Sequence, residues 1–125
     1  MFKFVLMSAE RSDRSTLANE IATETLEAWL TEQNYAFKSV VGCYQGTKEL
    51  SFVVLAPTKA KVSNLVAQSR LYDQECILAV NSQSKAFLVD GDTYTPIGQF
   101  KAIAGKPASD NWTFDPYTGE YYEVG

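Results

Sequence analysis

Two strand-forming runs with apolar side chains on both faces constrain this fold more than any other feature. The runs at 35–44 and 49–56 flank a polar turn at Gly46, which is typical of a β-hairpin. Their faces are equally apolar, with Val40, Ser51, Val53 and Leu55 on one and Val41, Leu50, Phe52 and Val54 on the other. Because helices packed on one face leave the other bare, we expect self-association to cover it.

The rest of the chain places this hairpin within a β-α-β-β-α-β order. The predicted elements are a strand at 2–9, a helix at 17–33 capped by Ser15 or Thr16, the hairpin, a second helix capped by Thr58, and strands at 75–80 and 84–89. This order predicts an α+β, ferredoxin-like βαββαβ fold, with an antiparallel sheet and both helices on one face. Residues 1–90 form this core and residues 91–125 a β-rich C-terminal extension, within a single domain.

Spacing assigns an inner face to each predicted helix. In the first helix the inner residues are Leu17, Ala18, Ile21, Ala22, Thr25, Ala28 and Trp29. In the second they are Val62, Leu65, Val66, Ser69 and Tyr72. The extension begins as a loop-rich segment with Pro96, Gly98, Gly105 and Pro107, and residues 112–124 indicate a terminal hairpin.

Charge and hydropathy exclude several classes of partner. The net charge is −4 and the basic residues do not cluster, which argues against a nucleic-acid binder. The chain contains no apolar run of membrane-spanning length, and its apolar start at 2–7 is too short for a signal peptide. We therefore expect no membrane partner and a location in the cytoplasm where the protein is made.

The residue inventory also limits the chemistry. The chain has no histidine, which excludes Ser-His and Cys-His nucleophilic catalysis. Its two cysteines, Cys43 and Cys76, lie in apolar runs and are predicted to be buried free thiols. No metal-ligand spacing and no glycine-rich phosphate loop occurs, so we predict no metal and no bound cofactor.

The hairpin turn carries the first candidate site. If its loop is 45–48, Tyr44 and Glu49 face each other across the ladder, with an aromatic ring beside a carboxylate. Such a pair suits a small cation, since the ring face and the carboxylate both attract positive charge. The alternative is that both side chains only decorate a surface turn.

Three polar segments are further candidates. Ser8, Arg11 and Ser12 follow the first strand, where Arg11 could grip a carboxylate or simply balance Glu10. The segment 81–84 could read a nucleobase or ribose, or be an ordinary turn. The segment 72–75 could supply a catalytic carboxylate pair, Asp73 and Glu75, or be a solvated connection.

Several short stretches together resemble the phage-encoded S-adenosylmethionine-degrading enzymes, known as SAMase or SAM lyase. The matching stretches occur in the family's order at 5–12, 42–44, 49–51, 73–78 and 82–84. They cover most of the chain to about Val89. The hairpin loop is shorter here than in the coliphage enzyme, and the acidic order around Gln74 is Asp-Gln-Glu instead of Glu-Gln-Asp.

The resemblance implies an activity, a site and an assembly. It implies a counter-defence enzyme that degrades S-adenosylmethionine in the cytoplasm of an infected bacterial host, as a ferredoxin-like homotrimer with sites between subunits. Glu49 is the residue carried over as catalytic. The substrate-binding candidates are Tyr44, Ser8, Arg11, Ser12, Ser82 and Gln83.

Three functions remain open at the level of sequence. The first is a lyase, in which the substrate's carboxylate attacks its own Cγ and releases 5′-methylthioadenosine and L-homoserine lactone. The second is a hydrolase, in which water attacks and homoserine forms directly. The third is a non-enzymatic, PII-like trimeric sensor of a nucleotide ligand.

Overall fold

The computed structural model describes residues 1–44, 46–109 and 111–125, with the side chain of Tyr44 also left out. Within this part the chain forms eight strands and two helices. They are β1 (Phe2–Met7), α1 (Thr16–Glu32), β2 (Phe37–Tyr44), β3 (Thr47–Leu55), α2 (Lys59–Arg70), β4 (Ile77–Asn81), β5 (Lys85–Asp90), β6 (Thr93–Ile103), β7 (Trp112–Asp115) and β8 (Glu120–Val124).

The strands close into an antiparallel barrel with the order β1-β3-β2-β7-β8-β6-β5-β4. The predicted ferredoxin-like fold, an open sheet with two helices on one face, is therefore wrong, although the elements from β1 to β4 do follow the predicted order along the chain. The reason lies in the C-terminal extension. β7 pairs with β2, β8 pairs with β6, and β7 and β8 pair with each other. These two strands therefore connect β2 and β6, which would otherwise be the edges of an open sheet.

The extension contains a long strand that its sequence conceals. Residues 93–103 form β6, although Pro96 and Gly98 indicated a loop. A bulge places Pro96 opposite Phe87 and Gly98 opposite Ala86, and Gly98 takes a φ of +130°. Bulges are where strands tolerate proline and glycine, so the strand continues past both residues. The predicted terminal hairpin is confirmed as β7 and β8.

Both apolar faces of the sheet are covered within one chain. On the outer face, Val5, Phe52 and Val54 are fully buried in one cluster with residues of both helices. On the inner face, Phe4 meets Phe100 from across the barrel with ring centroids 5.4 Å apart. The sheet therefore gives no argument for self-association, because the C-terminal strands cover its inner face. Self-association itself stays a prediction.

The helices begin as expected, but one of them faces a different way. Ser15 caps α1 by accepting from the Ala18 amide, and Thr58 caps α2 by accepting from the Lys61 amide. The predicted inner face of α2 is confirmed, with Val62, Leu65, Val66, Ser69 and Tyr72 all buried.

The inner face predicted for α1 is only partly confirmed, since Ala22 and Trp29 do pack against the core. Leu17 and Ile21 are 65% and 56% exposed, and Thr23, Leu26 and Leu30 are buried in their place. The buried residues follow the same helical period from a different starting point, so spacing alone did not fix the rotation of the helix. No helix in the described part of the chain is long and apolar enough to cross a membrane.

Candidate active site

One end of the barrel opens into a cavity of about 350 Å³, which is within the usual size range of small-molecule sites. Its wall comes from β1, β2, β3, β4, β5, β7, the loop after β1 and the α2–β4 connection. Its polar lining includes Ser8, Arg11, Glu49, Ser51, Gln74 and Glu75. The site therefore combines segments that are far apart in the sequence.

Glu49 lies in this lining on β3, directly opposite Gly42 of β2. The side chain is half-buried. Burial, and then the negative charge of Glu10, raise the pKa of Glu49, while the Ser8 hydroxyl and the charge of Arg11 pull that pKa down. A partly desolvated carboxylate of this kind attracts a cation more strongly than a carboxylate in open water does.

Gly42 lines the cavity opposite Glu49, and its lack of a side chain leaves room for Ser51. A Cβ atom built at Gly42 would lie 2.8 Å from the Oγ of Ser51, so the Ser51 side chain would have to move. A glycine within a strand often marks a close approach by another group. Sequence analysis missed Gly42 and Ser51 as site residues. The occurrence of a glycine within a strand-forming run could have indicated that another group approaches the backbone there.

The predicted pairing of Tyr44 with Glu49 does not occur in the hairpin, because Gly42 lies opposite Glu49. Tyr44 pairs with Thr47, so the predicted loop of 45–48 is too long. The turn bends at Gly46, whose φ is +82°, and Gln45 lies outside the described residues. Because the side chain of Tyr44 is also outside the described part, its role in binding substrate stays a prediction.

Arg11 lines the cavity, but its guanidinium is held by protein groups. It forms two hydrogen bonds with the Asp13 carboxylate, at 2.8 and 2.9 Å, and donates a third to the backbone carbonyl of Asp73. The hydrogen bonds and charge of Asp13 raise the pKa of Arg11, and that of Asp13 is lowered. Arg11 therefore balances Asp13 instead of Glu10. Ser12, between them, is exposed.

The loop after β1 and the α2–β4 connection form one continuous wall. The side-chain amide of Gln74 donates to the carbonyl of Glu10 at 2.8 Å. Arg14 donates to the carbonyl of Tyr72 at 2.7 Å and to the carboxylate of Asp73 at 2.9 Å. Asp73 thus forms an ion pair with Arg14. This contact favours a structural role for Asp73 over the predicted catalytic pairing with Glu75.

Ser82 and Gln83 lie at the other end of the barrel. The amide of Ser82 donates to the carbonyl of Met1 at 3.0 Å, at the start of β1, whereas Ser8 follows the end of that strand. The six residues of β1 span roughly 20 Å at about 3.3 Å per residue. The structure therefore brings Ser8, Arg11 and Glu49 together but does not bring Ser82 or Gln83 to them within one chain.

Both thiols are free and line the same cavity. Cys43 is buried as predicted, whereas Cys76 is only half-buried. Burial, together with the nearby charges of Asp90 and Glu75, raises the pKa of Cys76. Because the thiolate is the reactive form, Cys76 is a weak nucleophile at neutral pH. Within the described residues, no three Cys, Asp or Glu side chains are grouped as metal ligands would be.

The comparison with known families identifies the activity of the chain. The sequence model of the S-adenosylmethionine lyase family matches residues 5–125. The chain belongs to this family. It is therefore an enzyme, a lyase whose substrate is S-adenosylmethionine, and the reading as a non-enzymatic sensor no longer applies. No curated protein matches the chain. The family match extends over β6, β7 and β8, well beyond the stretches on which the resemblance depended.

Proposed function

We propose that this lyase lets the substrate cleave itself. The α-carboxylate of S-adenosylmethionine attacks its own Cγ, a C–O bond forms, and the Cγ–S bond breaks. The bonding pair moves to the sulfonium sulfur and neutralises it. The products are 5′-methylthioadenosine and L-homoserine lactone, and no proton has to be transferred.

This reaction agrees with the groups that the cavity contains. It needs orientation more than a protein base, and the chain has no histidine to act as one. Well-oriented intramolecular reactions gain about 7–11 kcal/mol from proximity. The enzyme must therefore hold the amino-acid end of the substrate in a bent form and leave its carboxylate free to attack.

The observation that carries the proposal is the contrast between Glu49 and Arg11. Glu49 offers a half-buried carboxylate to the cavity, suited to hold the substrate ammonium. Arg11 is tied to Asp13 and Asp73. It is thus not free to clamp the substrate carboxylate, which such a clamp would make a poorer nucleophile.

The first-formed product distinguishes lyase from hydrolase chemistry. We expect proton NMR of the running reaction to show homoserine lactone before homoserine. In water enriched in ¹⁸O, the lactone should contain no solvent oxygen, since both of its oxygens come from the substrate. Homoserine as the first product, with one solvent oxygen on its Cγ, would instead establish attack by water.

The role of Glu49 is tested by Glu49→Gln, which keeps the shape and removes the charge. We expect this variant to fold and to lose most release of methylthioadenosine, measured by chromatography. Glu27→Gln, on the exposed side of α1, is the matched control and should keep wild-type turnover. Full activity in Glu49→Gln would refute the assignment.

We also propose that the enzyme is a phage counter-defence protein that works as a homotrimer in the host cytoplasm. The position of Ser82 and Gln83 supports sites between subunits, because a neighbouring copy could supply them to the Glu49 cavity. Light scattering should give three times the 13.9 kDa chain mass. If each site is shared, mixing Glu49→Gln with an inactive Gln83→Ala variant should restore part of the activity. A monomer would contradict the shared site.

A further inference from the structure

The ladder between β1 and β3 ends just before it reaches Glu49. Its backbone pairs run from Phe4 with Leu55 to Met7 with Phe52. In an antiparallel ladder, alternate residues direct both their amide and their carbonyl to the same neighbouring strand. The next such residue on β3 after Phe52 is Leu50, for which β1 supplies no backbone pair.

Two side chains of the loop after β1 take the place of that missing pair. Glu10 accepts from the Leu50 amide through Oε1 at 2.9 Å, and Ser8 donates from Oγ to the Leu50 carbonyl at 2.7 Å. Ser8 Oγ also accepts from the Glu10 amide at 3.1 Å. We name Ser8 and Glu10 the Leu50 clamp. The amide that Glu10 holds belongs to the peptide bond between Glu49 and Leu50.

We propose that Ser8 and Glu10 are positioning residues of the lyase, which fix the peptide after Glu49 and thereby the place of its carboxylate in the cavity. This inference rests on the proposed role of Glu49. It replaces the expected contact of Ser8 with substrate, because the Ser8 hydroxyl contacts the Leu50 carbonyl and the Glu10 amide. The hydrogen bond from Gln74 of the α2–β4 connection to the Glu10 carbonyl braces the clamp.

Glu10 also acts on Glu49 through its charge, because a nearby like charge disfavours ionisation. Several other ionisable groups face or flank Glu49. They are Arg11 in the loop after β1, Asp73, Glu75 and Cys76 in the α2–β4 connection, Cys43 on β2 and Lys48 on β3. Removing only the charge of Glu10 should therefore move the acid limb of the activity profile to lower pH.

Two substitutions of Glu10 separate its hydrogen bond to the Leu50 amide from the effect of its charge on Glu49. Glu10→Gln keeps an acceptor oxygen for the Leu50 amide, so its kcat at pH 8 should stay within about twofold of wild type, with the acid limb shifted to lower pH. Glu10→Ala removes the acceptor, so its kcat should fall about tenfold or more. Ser8→Ala should also lower kcat, and the double Ala variant should lose less than the product of the two single losses, since both side chains hold the backbone of Leu50.

The readout is release of methylthioadenosine from S-adenosylmethionine across pH, with melting temperatures as a check on folding. Glu24→Ala, on the exposed side of α1, is the control and should match wild type. An inactive wild-type enzyme would refute the proposed function and not the clamp. With an active wild type, the clamp is overturned if Glu10→Ala keeps the wild-type kcat and pH profile. It is also overturned if Glu10→Gln and Glu10→Ala lose the same amount of activity. If Glu10→Ala does not fold, the other two variants decide. The clamp is then overturned if Ser8→Ala keeps the wild-type kcat and Glu10→Gln keeps the wild-type pH profile.

Discussion

At the scale of the residue, Glu49 acquires its character from the groups around it. It is half-buried, faces a second carboxylate from Glu10, and lies opposite a residue without a side chain, Gly42. Each of these features changes one measurable property. Burial and the like charge change the pKa of Glu49, and the glycine changes the space that a ligand finds beside it.

The raised pKa of Glu49 predicts the acid limb of the activity. If the ionised form binds the ammonium as proposed, kcat/KM should fall as pH drops through this pKa, at a pH above the ~4.3 of a free glutamate. The same shift has the opposite sign for stability, since the folded state binds the proton more tightly and ionisation costs stability above that pKa. Glu49→Gln should therefore melt no lower than wild type at pH 8 by calorimetry. A clearly lower melting temperature would contradict this.

Gly42 predicts a steric test of the cavity. Gly42→Val should raise the KM for S-adenosylmethionine or lower kcat by about tenfold, since its side chain would crowd Ser51 and fill space beside Glu49. Gly46→Ala is the matched control for glycine replacement, because open space surrounds Gly46. That control should affect the turn, whose φ is +82°, and not the KM. An unchanged KM and kcat in Gly42→Val would place the substrate elsewhere.

At the scale of the element, most strands and both helices could be predicted because each depends on its own local pattern. The caps at Ser15 and Thr58 and the inner face of α2 follow directly from side-chain type and spacing. The rotation of α1 does not, because two stripes of its sequence are apolar and only packing on the barrel selects one. β6 was missed because Pro96 and Gly98 are tolerated at a bulge that depends on the partner strand β5.

The rotation of α1 gives a stability prediction. Leu26 is fully buried, so Leu26→Ala should destabilise the fold by about 2–5 kcal/mol through lost contacts and a cavity. Leu17 is 65% exposed, and Leu17→Ala should change stability by less than about 0.5 kcal/mol. Urea unfolding of both variants measures the difference. Equal losses would support the stripe that spacing alone suggested.

At the scale of the whole molecule, the site depends on barrel closure. β7 places Trp112 and Thr113 in the wall of the cavity, and β2 places Gly42 there. An ion pair between Lys38 of β2 and Asp115 of β7 lies at the same seam. Sequence analysis found Glu49 beside the hairpin turn and Ser8 after the first strand, and the resemblance then selected both. The contribution of β7 was beyond its reach, because strand pairing across 70 residues leaves no local signal.

The Lys38–Asp115 pair allows a test of how much the seam between β2 and β7 contributes to the stability of the fold. Burial opposes ionisation of Asp115, but the hydrogen bonds from Lys38 and the Tyr117 amide outweigh it and lower the pKa of Asp115. The stabilisation is therefore present above about pH 4 and is lost as pH falls through the lowered pKa. Lys38→Met should cost about 1–3 kcal/mol at pH 7 in urea unfolding. Adding Asp115→Asn should recover part of that loss, and no recovery would argue against the pair.

The closed barrel also dictates when this chain can finish folding. The pairing of residues 41–43 with 112–114 joins segments made early and late in synthesis. Until the last two strands emerge from the ribosome, β2 and β6 present unpaired edges that could template wrong association. Closing such a long loop is slow, so refolding should be limited by this seam and be sensitive to protein concentration. Both the solubility of the chain and the wall of its cavity would thus depend on β7 and β8.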